Sequence, residues 1–253
     1  RGEWNTPNLK AVLELAIRNR NILEKAIYGS WLGSIAYRLK HWFRDNSKSG
    51  SRKNIHAHYD LGNAFYTLWL DPSMSYSSAW FSKGDKQSLM DAQRAKIKRI
   101  LDSIHAKPGD QLLEIGCGWG GFMEEALRNG NQVTGLTLST EQKAFADTRL
   151  QKVNTEVGNQ QKFEVRLQDY RDCAEQFDGI ASIEMFEAVG ENHWAEYFQT
   201  VAKRLKAGGR ACIQTIVITE DLFDRYRHST DFIQQYVFPG GMLPSPSKFK
   251  AAA

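Results

Sequence analysis

Leu112-Leu113-Glu114-Ile115-Gly116-Cys117-Gly118-Trp119-Gly120-Gly121 decides the fold of this chain. An apolar run ends on an acidic residue, enters a glycine-rich turn and leads into a helical pattern. Glycines at 116, 118, 120 and 121 remove side chains where a ligand must lie close to backbone. Strand, glycine turn and helix in that order form the first loop of a nucleotide-type site in a doubly wound α/β fold. The spacing is G-x-G-x-G-G, which departs from the dinucleotide pattern G-x-G-x-x-G.

Working outward, the periodicity predicts a helix over 88–105, broken by Pro108-Gly109, then a strand over 111–115 and a helix over 119–129. A strand over 132–137 follows, and Ser139 with Gln142 reads as a capping box opening a helix over 140–153. Strands over 162–167 and 178–183, a helix over 193–206, an Ala207-Gly208-Gly209 turn and a fifth strand over 210–217 complete the alternation. Strands separated by helices imply an α/β domain with a mostly parallel sheet and right-handed crossovers, with ligands at the carboxyl ends of the strands. Those ends carry Glu114, then Thr137 and Leu138, then Asp169 and Tyr170, then Glu187, and in the fifth strand Gln214.

Residues 8–44 are helically periodic, and the part from Tyr37 to Arg44 is basic and amphipathic. Such a segment packs its apolar face on a neighbour or touches anionic lipid. The polar run 45–54 reads as a linker, dividing a helical segment (1–50) from the main domain (51–253). With 253 residues, 42% hydrophobic content and a formal charge of +4, the chain can fill a core, and its small basic excess fits a solvated surface, not a nucleic-acid site. Cys117, Cys173 and Cys212 are odd in number and form no C-x-x-C pair, which argues for free thiols in a reducing compartment. The six histidines show no metal-ligand spacing, so no metal is expected. No run approaches 18 uncharged apolar residues and no signal peptide is evident.

Four stretches together carry a resemblance that spans about residues 55–245. They are His58-Tyr59-Asp60-Leu61-Gly62-Asn63 with Leu70-Asp71-Pro72; Tyr76-Ser77-Ser78-Ala79; the glycine loop with Gly135-Leu136-Thr137-Leu138-Ser139; and Phe186-Glu187-Ala188-Val189-Gly190 with Phe238-Pro239-Gly240-Gly241. In these the chain resembles the cyclopropane-fatty-acyl-phospholipid synthase family. The resemblance implies a Rossmann-like class I methyltransferase fold that binds S-adenosylmethionine (AdoMet), a helical N-terminal extension, and C-terminal strands that are missing from this sequence. It implies methyl transfer to a cis double bond of a phospholipid acyl chain, a carbocation, and ring closure by a base that in family members is a bound bicarbonate ion. It further implies a cytoplasmic enzyme working peripherally at a membrane surface, with a homodimer as a possible assembly.

Residue by residue, the family pattern assigns AdoMet contacts to Tyr76, Ser77, Gly116, Gly118, Thr137, Leu138 and Gln142, beside Glu114, Asp169 and Tyr170 from the strand ends. It assigns the bicarbonate to Glu187, Ser78, Gln214 and the backbone of Ile216. Two positions depart from the family: Ser78 stands for its usual cysteine and Gln214 for its usual histidine, and glutamine can donate to an anion but cannot take a proton. This pairing resembles a subgroup that includes enzymes making mid-chain methyl-branched fatty acids, which leaves ring and branch open as products. A small-molecule N- or O-methyltransferase is the alternative. Glu184, three residues before Glu187, is expected to cap or pair structurally, and the Cys117 side chain to pack inward.

Overall fold

Leu112 and Leu113 point to opposite faces of the sheet, as successive strand residues must. Leu112 joins a cluster with Ile97, Met123, Leu127 and Leu150, and Leu113 joins a second with Ile180, Phe186, Tyr197 and Val201. Both faces of the strand are therefore covered, the condition under which parallel sheets occur. The computed structural model describes residues 5–19, 22, 62–82, 86–158, 161–228, 233–238 and 240–253. Among these, β1 (Gln111–Ile115), β2 (Gln132–Thr137), β3 (Phe163–Leu167), β4 (Phe177–Ile183) and β5 (Leu205–Gln214) form one sheet. Its order is β3-β2-β1-β4-β5, and every pairing is parallel.

The helices are α1 (Leu9–Arg18), α2 (Gly62–Tyr66), α3 (Leu89–Ser103), α4 (Gly121–Arg128), α5 (Thr140–Glu156), α6 (Trp194–Arg204), α7 (Glu220–Arg227) and α8 (Pro246–Ala252). Strand order reverses direction at β1, which lies between β2 and β4, so a crevice opens over the carboxyl ends of these three strands. Register brings those ends level: Ile115 pairs with Leu136 and Ser182, and Ile183 pairs with Gln214.

β1 and β2 have the bounds that the pattern predicts. Three local expectations need correction. α4 starts at Gly121, because Gly120 sits at φ +81° as its N-cap. Ser139 does cap α5, accepting from the Gln142 N–H at 3.3 Å, but no reciprocal box closes. The Ser139 N–H donates instead to Thr137 Oγ1 at 3.1 Å, and Gln142 Oε1 lies 2.8 Å from the same hydroxyl. β5 starts at Leu205 and ends at Gln214, not 210–217. Its pairing with β4 jumps from Phe177↔Leu205 to Gly179↔Arg210, so the residues around Gly208 (φ +81°) bulge out of register where a turn was expected.

α1 buries none of its side chains. The rest of the expected helical segment beyond residue 22, the linker and the His58-Tyr59-Asp60 motif lie outside the described residues.

Candidate active site

A cavity of about 190 Å³ lies over the carboxyl ends of β1, β2 and β4. All ten residues expected to contact AdoMet line it: Tyr76, Ser77, Glu114, Gly116, Gly118, Thr137, Leu138, Gln142, Asp169 and Tyr170. Gly116 (φ +82°) lets the loop pass under Met185, since a Cβ there would sit 2.7 Å from Met185 Cγ. At Gly118 (φ +52°) a Cβ would meet nothing within 4 Å, so the backbone borders open space.

Glu114 is buried, and its Oε2 has no hydrogen-bond partner among the described residues. Burial pushes its carboxyl well above the usual carboxylate range, against the pull of Lys96 and Arg149. Thr137 and Gln142, buried and bonded to each other, form the next wall. Asp169 lines the cavity, but Arg171 grips both of its oxygens, through Nε at 2.8 Å and Nη2 at 2.7 Å. Tyr170 follows in a short 3₁₀ turn, its phenol pushed up chiefly by burial. Cys117 packs inward as expected, and burial raises its thiol well above the usual range.

Lys96 was not foreseen. It sits on the buried face of α3, 5% exposed, and lines the cavity. Its Nζ donates to Ser77 Oγ at 2.5 Å. Burial lowers its pKa to about 8, opposed by the charges of Glu184, Glu114 and Asp71. Gln93, one turn earlier, donates to the Ser77 carbonyl at 2.8 Å, so α3 fixes the loop that carries Tyr76 and Ser77. The available sequence signal was two polar residues, Gln93 and Lys96, on an otherwise apolar helical face.

Of the four residues expected to hold an anion, Ser78, Gln214 and Ile216 turn instead to carboxylates of the chain itself, and the fourth, Glu187, is one of those carboxylates. Ser78 donates to Glu184 Oε1 from its N–H (2.9 Å) and from its hydroxyl (2.7 Å), and Gln214 Nε2 donates to the same oxygen at 2.9 Å. Glu184 is a non-glycine residue at φ +48° and lines the cavity, so its expected role as a structural cap understates its position. Because β5 stops at Gln214, the next two residues leave the ladder. Thr215 Oγ1 donates to Glu187 Oε1 at 3.0 Å, and the Ile216 N–H donates to the same oxygen. Burial raises the Glu187 carboxyl, and its Oε2 is buried without a partner among the described residues.

The residues present fit AdoMet. The unpartnered Glu114 oxygen suits an ammonium, and the open space at Gly118 suits close approach to backbone. They do not fit bicarbonate: the donors assigned to that ion are already committed to Glu184 and Glu187, and two carboxylates beside a further anion repel it.

The family profile described as mycolic acid cyclopropane synthetase matches residues 46–253. The chain is 36% identical over 251 residues to tuberculostearic acid methyltransferase UfaA1 of Mycobacterium tuberculosis, covering 96% of this chain and 57% of that protein. It is 40% identical over 190 residues to the cyclopropane-fatty-acyl-phospholipid synthase of Escherichia coli K12, covering 74% of this chain and 46% of that protein. The chain thus spans about half the length of these relatives. Among solved structures, the mycolic acid cyclopropane synthase CmaA1 complexed with SAH and CTAB superposes with a TM-score of 0.68 at 32% identity, covering 79% of this chain and 72% of that one.

Proposed function

The chain belongs to the mycolic acid cyclopropane synthetase family, and on that premise we propose that it transfers the AdoMet methyl group to the cis double bond of an unsaturated phospholipid acyl chain, closing a cyclopropane ring. The observation that carries this reading is the single cavity at the β1/β4 switch point, which gathers ten cofactor candidates and Glu184.

Bound AdoMet supplies an electrophilic methyl group on a sulfonium. Glu114, Gly116 and Gly118 would hold its amino-acid end, Thr137, Leu138 and Gln142 its ribose, and Asp169 and Tyr170 its adenine. Tyr76 and Ser77 would close over it, held from behind by Gln93 and Lys96. An alkene is a weak nucleophile, so these residues must fix the reacting groups and keep water from the cation that follows. Of the connected aromatics Tyr66, Trp69, Tyr76 and Phe238 (Tyr66 to Tyr76 5.6 Å, Trp69 to Tyr76 5.2 Å, Tyr76 to Phe238 6.3 Å between centroids), Tyr76 and Phe238 line the cavity, where their faces can stabilise positive charge.

The lipid is met peripherally at a membrane surface on the cytoplasmic side, with the exposed Phe65, Leu68, Trp69, Trp80 and Phe81 as contacts. Among the described residues no helix is long and apolar enough to cross a membrane. A homodimer is part of the same reading. Methyl branching at mid-chain is the second reading, favoured by Ser78 and Gln214 at the positions of the family's cysteine and histidine.

The test is release of S-adenosylhomocysteine (AdoHcy) by the full-length protein with oleoyl-phospholipid vesicles, compared with a soluble amine acceptor. Turnover with vesicles alone is expected. Turnover only with the amine would replace this reading with a small-molecule methyltransferase.

A further inference from the structure

We infer that the side chain of Glu184 is itself the base that removes the proton in this reaction, in the role that the family resemblance gives to a bound ion. The inference rests on the reading proposed above. It is carried by the meeting of three donors on one oxygen of a cavity-lining carboxylate.

Glu184 continues β4 at the switch point, where its N–H still bonds the Gln214 carbonyl at 2.8 Å. Its φ of +48° is a backbone strain that a glutamate adopts only when its surroundings impose it, and such outliers gather at functional sites. The surroundings do impose it. Ser78 gives both an N–H and an O–H, and Gln214 gives an amide N–H, all to Oε1. A hydroxyl and an amide in these places can orient a carboxylate but cannot take its proton. Oε2 makes no hydrogen bond to any described residue, which leaves it as the acceptor. Glu187, the rival carboxylate, is held in a similar way by Thr215 and Ile216 but does not line the cavity.

The step balances without any further reactant. The alkene π electrons form the bond to the incoming methyl carbon as its bond to sulfur breaks, and that electron pair stays on sulfur. The neighbouring carbon is left positive. Glu184 takes a proton from the new methyl, the C–H electron pair forms the third bond of the ring, and the protonated Glu184 returns its proton to solvent.

The test uses the full-length protein, oleoyl-phospholipid vesicles in bicarbonate-depleted buffer, and three readouts: cyclopropane formation, AdoHcy affinity and melting temperature. E184Q keeps the shape of the side chain and removes the base. It is expected to bind AdoHcy and melt as wild type does, while ring formation falls by about 10²–10⁴-fold. E184A is expected to lose ring formation similarly and to recover part of it with added formate. Ring formation by E184Q within about threefold of wild type would overturn the inference, as would a wild type that needs added bicarbonate. Parallel loss of AdoHcy affinity in E184Q would overturn it too, by making Glu184 a cofactor ligand. A wild type that leaves oleoyl chains unmodified would instead overturn the underlying reading, and this inference with it.

Discussion

Glu184 occupies a conformation that suits glycine, and its side chain is held there by contacts made elsewhere in the chain. A left-handed non-glycine residue costs roughly 1–2 kcal/mol. Glu184→Gly, which removes the strain and the bonds together, is therefore expected to melt higher than Glu184→Val, which keeps the strain and loses the bonds; differential scanning calorimetry separates them. Gly116→Ala carries the opposite expectation. Its Cβ would press on Met185 at φ +82°, so a stability loss of about 1–2 kcal/mol is expected. AdoHcy affinity, measured by titration calorimetry, should weaken by about tenfold or more as the loop shifts.

Lys96 gives a pH signature. Its folded pKa lies near 8 against an ordinary 10.5, so between those values the unfolded chain binds a proton that the folded chain does not. Stability gained from this group therefore rises with pH across that window. The penalty of burying the charge is fully present below it. Urea unfolding of wild type and Lys96→Met should show a difference that moves toward wild type by on the order of 3 kcal/mol from pH 8 to 10.5. A flat difference would contradict the assignment of a buried charged amine.

At the scale of elements, the strand–turn–helix units were legible because their signals are local. The bounds of β1 and β2 and the Ser139 cap follow from residues adjacent in sequence. Ser139→Ala should cost about 1 kcal/mol, because the orphan N–H of Gln142 loses its acceptor. Denaturant unfolding checks it, and an unchanged midpoint would show that the cap carries nothing. β5 was misread at both ends because its bulge and its exit depend on β4 and Glu187. The Glu184 cluster was hidden for a like reason. Its partners lie 106 and 30 residues away, and no spacing rule connects them. Lys96 stood on a legible helical face, but its polarity pointed outward until Ser77, Glu114 and Glu184 were placed around it.

At the scale of the molecule, the reading requires a soluble cofactor and an insoluble acceptor to meet in one cavity. The connected aromatics from Phe65 through Trp69 and Tyr76 to Phe238 join exposed surface to the cavity wall. Leu68, 81% exposed, stands beside them. Replacing Leu68 and Phe81, both exposed and outside the cavity lining, by Asp should reduce co-sedimentation with oleoyl-phospholipid vesicles by about tenfold and leave AdoHcy binding unchanged. Equal loss of both would make this patch structural.

The most direct test of the central claim is mass spectrometry of lipids from a host supplied with oleate and expressing the full-length gene. The account predicts that unsaturated acyl chains gain one CH₂, with fragmentation distinguishing a ring from a branch. Unchanged acyl chains, in cells that contain folded protein able to bind AdoMet, would contradict it.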